Sequence, residues 1–340
     1  MTIVDVNLSD TSVEIPALPK EMISVVKQDG RTFVRINSSS LGTMQECPRK
    51  TKYSLVDGWK PESENPAFLF GRAIHKALET FYRGELSERI LPPFDHVELM
   101  AFGQNRGDDG LISRAITAFL TEAALLSALP EGDKRSLSNG VYILWHYFKS
   151  FIDDPYVAHV DDMGPVVERP FTFRLHEEEK YVIDYFGTVD LVVRHAGTGE
   201  LLVMDHKTSS VVGNDFYNRM KPNHQYTGYL LGAKRALGIE TDSFLVNCLQ
   251  VKERPKTSRG TPPHFPRQVT TRDESDYEEF IEVVHYNVIN HLASLRDNVW
   301  PLGPTNVCAN YGGCTYLSVC SAPKSMREGI LSAKFVRGGK

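Results

Sequence analysis

Residues 186–210, FGTVDLVVRHAGTGELLVMDHKTSS, decide the fold of this 340-residue chain. Two apolar runs flank the glycine-bearing turn 195–199, a pattern typical of a β-hairpin. The first run carries Asp190, the second carries Asp205, and Lys207 follows two positions later. Charges on a buried-looking hairpin cost free energy unless a ligand or an ion pair compensates them.

Residues two apart in a strand project from the same face, so Asp205 and Lys207 are expected to point together and His206 away from them. Asp190 is expected across the hairpin from Asp205. Two carboxylates at one place repel each other unless a cation lies between them, and oxygen ligands suit Mg²⁺ or Mn²⁺. Lys207 could then hold an attacking water or a phosphate oxygen. The alternative is a buried Asp–Lys ion pair, with Asp190 solvated at a strand end.

The segments around the hairpin predict an α/β domain in which helices pack on a central sheet. Strands are predicted at 165–175, 180–194, 200–207 and 242–251. Helices are predicted at 70–82, 96–128, 134–152, 223–238 and 274–297.

Composition excludes several classes of protein. The chain is 41% hydrophobic with a net charge of -5, so it can bury a large core and lacks the global basic footprint of a protein that coats nucleic acid. No apolar run approaches the roughly 18 residues of a membrane span, and residues 1–16 lack a signal-peptide pattern. The expectation is a cytoplasmic protein without a membrane partner.

The five cysteines point to metal ligation. An odd number without a secretory signal disfavours a disulfide framework. Cys248 lies in an apolar run and is set aside as a core thiol. The other four suit an iron-sulfur cluster, with a tetrahedral zinc site as the rival and unligated thiols as the third reading; they are Cys47, Cys308, Cys314 and Cys320.

Five segments in order resemble the PD-(D/E)xK nucleases, in the RecB-like, AddB-like exonuclease branch that includes the iron-sulfur nucleases of CRISPR adaptation. They are SSSLGTMQECPRKTKY (38–53), FGRAIHKALETFY (70–82), the 186–210 hairpin, HQYTGYLL (224–231) and the three late cysteines. The resemblance touches residues 38–82 and 165–321. It implies a restriction-endonuclease-like core with a central mixed sheet flanked by helices, plus a helical insertion and an iron-sulfur region.

Site roles follow from this resemblance, position by position. Catalytic roles fall on Asp190, Asp205, Lys207, Gln225 and Tyr229. Metal ligands would be His75, Asp190, Asp205 and the backbone carbonyl of His206, and Glu168 matches a position where related proteins often carry an acid. A [4Fe-4S] cluster would be held by Cys47, Cys308, Cys314 and Cys320, spaced C-x5-C-x5-C at the C-terminus where the best-known relatives have C-x2-C-x5-C.

The expected division is an N-terminal extension (1–37), a nuclease core (38–83 and 160–300), a helical insertion (84–159) and a cluster-binding segment (301–340) completed by Cys47. Basic residues near the motifs are candidates for phosphate contacts. They are Arg49, Lys50, Lys52, Lys252, Arg254 and Lys256.

The predicted function is a Mg²⁺- or Mn²⁺-dependent deoxyribonuclease, an exonuclease acting on DNA ends or single strands in repair, recombination or phage and mobile-element DNA processing. One alternative is a catalytically silent DNA-binding or scaffold subunit of a repair complex. Another is a zinc metalloenzyme, which would need an open coordination position that four cysteines do not leave.

Overall fold

A computed structural model of the protein describes residues 23–93, 95, 97, 110–130, 132–255 and 261–338, apart from the side chains of 215 and 310–312. The chain forms two compact units. The first comprises Met1–Ser63, Thr172–Gly187 and Glu274–Lys340, and the second comprises Glu64–Phe171 and Thr188–Asp273. The units group residues by proximity, and the division into core, insertion and cluster segment stays a prediction.

The described strands are β1 (Ile23–Gln28), β2 (Arg31–Ile36), β3 (Trp59–Pro61), β4 (Tyr156–Ala158), β5 (Val160–Asp161), β6 (Gly164–Pro165), β7 (Val167–Glu177), β8 (Tyr181–His195), β9 (Leu201–Ser209), β10 (Ser243–Gln250), β11 (Arg267–Thr271) and β12 (Phe335–Arg337). The described α-helices are α1 (Ser38–Glu46), α2 (Pro48–Thr51), α3 (Pro66–Arg83), α4 (Leu111–Glu122), α5 (Leu137–Ser150), α6 (Asn214–Asn218), α7 (His224–Leu237), α8 (Glu274–Asp297), α9 (Leu317–Ser321) and α10 (Arg327–Lys334).

The second unit contains a mixed sheet. The end of β8 pairs antiparallel with β9, β9 runs parallel to β10, and β10 pairs antiparallel with β11. Helix α3 packs on β9, and α7 packs on β9 and β10. The predicted α/β fold, with a central mixed sheet flanked by helices, is confirmed.

Apolar periodicity produces this arrangement. Helix α3 begins after the cap Asn65 and buries Phe70, Ile74 and Leu78, which recur at helical spacing. Together with α4 and α5 it forms one continuous core with the inward side chains of β8 and β9. Helix α7 ends at Gly238, whose φ of 67° is the left-handed conformation that glycine adopts without strain.

The first unit contains β1, β2 and the start of β8, and a separate apolar cluster. β1 and β2 form a hairpin, and β2 runs parallel to the start of β8. Tyr185 of β8 meets Phe280 of α8 edge to face, with ring centroids 5.4 Å apart. β3 pairs with β12, beside a cluster formed by Tyr53, Trp59, Tyr316, Val319, Leu331 and Phe335.

Two helices are shorter than predicted. Over the predicted helix 96–128, the structure describes α4 and a short 3-10 turn, Ala124–Ala128, while residues 98–109 lie outside the described part. The predicted helix 134–152 is α5, which the hydroxyl of Ser136 caps at its start. Within the described ranges, no helix is both long and apolar enough to cross a bilayer.

Candidate functional site

His75 joins helix α3 to two strands of the second unit. Its Nδ1 lies 3.2 Å from Oδ2 of Asp190 on β8, and its Nε2 lies 2.7 Å from the backbone carbonyl oxygen of His206 on β9. The backbone N–H of His206 donates to the same Asp190 oxygen at 2.9 Å. His75 therefore contacts the Asp190 carboxylate through one ring nitrogen and the His206 carbonyl oxygen through the other. That these groups bind a metal stays a prediction from the family resemblance.

Glu168 of β7 completes a compact ligand set. Its carboxylate oxygen and the ligand atoms of His75 and Asp190 all lie within 4.8 Å of one another. Burial raises the pKa of Glu168 to about 7, and the negative charge of Asp190 adds to the rise. Its φ of 48° is in the left-handed region, which is unfavourable for a residue other than glycine. A divalent cation would relieve the repulsion between these two carboxylates.

Asp205 lies beside this set, buried on β9. Leu191 pairs with Met204, so the register continued by one residue sets Asp190 opposite Asp205. Burial raises the pKa of Asp205 to about 6; the ammonium group of Lys207 opposes the rise and Asp190 adds to it. Its Oδ2 is 2.7 Å from Lys207 Nζ but makes no hydrogen bond of acceptable geometry with any described residue. This incompletely satisfied oxygen fits a further contact with a hard cation.

Lys207 is held from two sides. Its Nζ contacts Asp205 and donates a 3.0 Å hydrogen bond to Oε1 of Gln225. Burial lowers the pKa of Lys207, but the Asp205 carboxylate, Tyr226 and Asp190 together outweigh burial and keep it above the ordinary value. The side chain therefore remains a cation at neutral pH, as stabilisation of a negatively charged phosphate requires.

Gln225 and Tyr229 are one turn apart on α7. Gln225 reaches Lys207, and the Tyr229 hydroxyl interacts with Gln225. The Tyr229 ring is buried and meets Phe171 edge to face at 5.7 Å. The helix thus brings Gln225 to the site directly and Tyr229 through Gln225.

A buried polar network behind His206 was missed by sequence reasoning. His206 Nδ1 lies 2.7 Å from Nδ2 of Asn247, and the Tyr82 ring stacks on the imidazole at 5.5 Å between centroids.

Arg267 donates to Asn247 Oδ1 at 3.0 Å and makes a bidentate ion pair with Asp154, both contacts at 2.7 Å. Tyr147 closes the network through its hydroxyl, which accepts from Asn247 at 2.8 Å. These contacts fix the residue whose carbonyl faces His75.

Little in the sequence could have revealed this network. Asn247 interrupts the apolar run of β10. A polar side chain in a buried strand needs a hydrogen-bond partner, but the sequence does not show which residue supplies it. In the sequence, Arg267 ends a basic, proline-rich segment and looks like one more surface charge. Only the pairing of β10 with β11 places it opposite Asn247.

The four candidate cysteines all belong to the first unit, and none forms a disulfide. Cys314 and Cys320 pack against the apolar cluster, and Gly303 N–H donates to Cys47 Sγ at 3.2 Å. Burial raises the pKa of Cys320, and the neighbouring Cys314 and Cys47 thiols raise it further. Across the described residues, no three of these sulfurs lie within 4.8 Å of one another. Cys248 is fully buried in β10, and burial raises its pKa to about 12.

The basic candidates differ in their partners. Lys50 pairs with Glu46, and Lys52 lies 2.9 Å from Asp57. Arg49 donates to the Trp300 carbonyl oxygen at 3.3 Å. The two carboxylate partners reduce the charge that the 49–52 cluster can offer to a phosphate.

The second basic segment follows β10 in the chain. The Lys252 ammonium donates to the Thr261 carbonyl oxygen at 3.3 Å, and the Arg254 guanidinium lies 5.8 Å from the Tyr142 ring centroid. Lys256 falls outside the described residues.

Comparison with known families agrees with the geometry. The model of the PD-(D/E)XK nuclease superfamily matches residues 35–321, which is most of the chain. No curated protein matches the chain. Members of this superfamily are metal-dependent nucleases, and membership of the superfamily implies a DNA substrate. The chain therefore belongs to the PD-(D/E)XK nuclease superfamily.

Proposed function

We propose that the protein is a Mg²⁺- or Mn²⁺-dependent deoxyribonuclease that hydrolyses phosphodiester bonds at DNA ends or in single strands, as an exonuclease. The observation that carries this proposal is the set of ligand atoms from His75, Glu168 and Asp190 within 4.8 Å of one another, beside the Asp205–Lys207 pair. Three carboxylates, a carbonyl and one imidazole form an oxygen-rich donor set of the kind that Mg²⁺ and Mn²⁺ prefer.

In this proposal His75, Asp190, Asp205 and the His206 carbonyl hold the ion, with Glu168 as a further ligand. A bound divalent ion activates water and neutralises the charge that develops on the phosphate. Lys207 orients the attacking water or a phosphate oxygen through Nζ, which Asp205 and Gln225 hold in place. The contacts that hold the Lys207 ammonium group support a role in orienting the water or phosphate oxygen. A hydrogen-bond donor that is already in position does not have to move during the reaction.

The test is digestion of end-labelled single- and double-stranded DNA with Mg²⁺ or Mn²⁺. Asp205→Asn and Lys207→Met should reduce cleavage by about 100-fold or more while leaving DNA binding measurable. Lys149→Met, at an exposed position of α5, is the matched lysine control and should cleave normally. If the wild type binds DNA but digests none with either ion, the protein is instead a silent DNA-binding subunit.

We further propose that Cys47, Cys308, Cys314 and Cys320 hold a [4Fe-4S] cluster. A tetrahedral zinc site with Zn–S bonds of about 2.3 Å needs sulfurs about 3.8 Å apart. The described sulfurs include no trio within 4.8 Å, and a four-iron cluster places its thiolates farther apart than one zinc ion does. The apolar shell beside Cys314 and Cys320 limits solvent access, which favours cluster retention.

Iron, sulfide and zinc analysis of protein purified without oxygen tests the cluster. The expected result is a brown protein with iron and sulfide, which Cys320→Ser loses and Cys248→Ala retains. A colourless wild type that contains zinc and no iron would establish the zinc alternative.

For DNA contacts we propose the Lys252–Arg254–Lys256 segment ahead of Arg49, Lys50 and Lys52, because two of the latter already have carboxylate partners. Lys252→Ala with Arg254→Ala should weaken DNA binding and lower its salt dependence. Lys50→Ala with Lys52→Ala is the comparison pair and should change both quantities less.

A further inference from the structure

A second group of metal-ligating side chains lies in the first unit, outside the nuclease residues. His176 is near the end of β7, Glu178 follows that strand, and His285 is on α8. One ligand atom of each lies within 4.8 Å of the other two. We propose that these three residues form a binding site for a divalent ion of the zinc class, which ties the β7–β8 turn to helix α8.

The distances within the group match the size of such an ion. Nε2 of His176 is 2.9 Å from Oε1 of Glu178, and Nε2 of His285 is 3.6 Å from the same oxygen. A tetrahedral ion with bonds of about 2.0–2.1 Å requires ligand atoms about 3.3 Å apart. The observed distances bracket that value, so small side-chain rotations would complete the site.

The turn holds the carboxylate in place independently of any ion. The Glu178 backbone N–H donates to the Tyr181 carbonyl oxygen at 2.8 Å, and Arg31 donates to the Glu178 carbonyl oxygen at 2.9 Å. The Glu178 side chain interacts with His176, Tyr181 and His285. Its neighbour Glu177 has different partners, because it pairs with Arg31 and Arg174. Glu177 therefore pairs with the two arginines, whereas the Glu178 carboxylate faces the two histidines.

The donor set determines which ion would bind. Two imidazoles and one carboxylate suit Zn²⁺, Co²⁺ or Ni²⁺, whereas Mg²⁺ prefers oxygen ligands alone. The three side chains remain 27%, 45% and 31% exposed in chain order, which leaves a fourth position open to water. Hydrogen bonding without metal is the competing explanation of the group.

Tyr181 borders the site. Its hydroxyl lies 3.3 Å from Nε2 of His285, and its ring centroid is 5.6 Å from that imidazole. The rings of His176 and His285 are 4.6 Å apart between centroids. The two imidazoles thus approach each other closely although they come from different elements of the same unit.

The test is calorimetric titration of the full-length protein with Zn²⁺ in millimolar Mg²⁺, which occupies oxygen-rich sites. Wild type should bind one more zinc ion per chain than His285→Ala or His176→Ala, and Glu178→Gln should weaken that site at least about tenfold. Glu177→Gln is the matched control and should bind as wild type does. Circular dichroism checks that every variant is folded.

Thermal unfolding gives a second readout that does not depend on cleavage. Zinc should raise the Tm of wild type and Glu177→Gln more than that of His285→Ala, because an ion that binds only the folded state stabilises it. Equal zinc stoichiometry in wild type and both histidine variants would overturn the proposal, as would equal losses in Glu178→Gln and Glu177→Gln.

Discussion

The imidazole of His206 and the side-chain amide of Asn247 share a buried contact in which Nδ1 and Nδ2 lie 2.7 Å apart. The same histidine presents its backbone carbonyl to His75. Asn247 is in turn fixed by Arg267. Asn247, which is fully buried, therefore positions a main-chain ligand of the proposed ion.

Asn247→Leu should raise the Mg²⁺ concentration for half-maximal cleavage by about 10- to 100-fold, because the His206 carbonyl loses its support. Stability should fall by roughly 2–3 kcal/mol, since the buried groups of His206 and Arg267 lose their partner. Asn139→Leu, at an equally buried asparagine that bonds to Lys134 and Lys252, controls for stability alone. The same change of Mg²⁺ requirement in both variants would contradict a positioning role.

Gln225→Leu should lower the cleavage rate by about 10- to 100-fold, because Lys207 loses the partner that holds it at 3.0 Å. The loss should be smaller than that of Lys207→Met, and the double variant should be no slower than Lys207→Met because both changes act through one group. Single-turnover rates measure both effects, with Gln268→Leu on exposed β11 as the control. Fully additive losses would show that Gln225 acts independently of Lys207.

Glu168 should make stability depend on pH. Burial raises its pKa from 4.5 to about 7, so the folded protein keeps this proton to higher pH than the unfolded chain does. The stabilising contribution is complete below pH 4.5 and is lost as pH rises through about 7. Glu168→Gln should therefore stabilise the metal-free protein at pH 8 by about 1–2 kcal/mol, with much less effect near pH 4.5.

Bound Mg²⁺ should reverse the direction in which stability changes with pH. Carboxylates must lose their protons to bind an ion, so Mg²⁺ should raise the wild-type Tm more at pH 8 than at pH 5. Asp205, whose pKa is raised to about 6, contributes in the same direction. Melting curves at each pH with and without Mg²⁺ measure this; a variant-to-wild-type difference that is constant with pH would argue against the protonation of Glu168.

Gly232→Ala should destabilise the protein by about 1–3 kcal/mol. An added Cβ on α7 would clash with the Phe171 ring, and Phe171 packs against Tyr229. Gly42→Ala in α1 meets nothing within 4 Å and should be neutral or stabilising, since alanine favours helix. Chemical denaturation separates the two, and equal effects would contradict the close approach of Phe171.

The elements that carry periodic apolar residues could be predicted from the sequence. The 186–210 hairpin contains the second part of β8 and all of β9, and the helix predicted at 274–297 is α8. Asp205 and Lys207 do lie together, as period-two alternation requires. Local spacing is sufficient for such pairs because the strand itself sets their geometry.

Contacts between distant segments could not be predicted in this way. His285 meets His176, and Arg267 meets Asp154, only because strands and helices far apart in sequence pack together. No spacing of residues in the sequence indicates either contact. Resemblance to a family supplied His75 and Gln225, whereas Asn247 and Arg267 belong to no motif and became visible through their hydrogen bonds.

The backbone of Glu168 has a consequence for how this position can vary. Glycine would adopt its φ of 48° without strain, but glycine offers no carboxylate. A laboratory selection for heat resistance alone should therefore accumulate glycine or asparagine at residue 168. A selection that also requires digestion of DNA should retain glutamate at residue 168. The surviving clones of the two selections should therefore differ at this position.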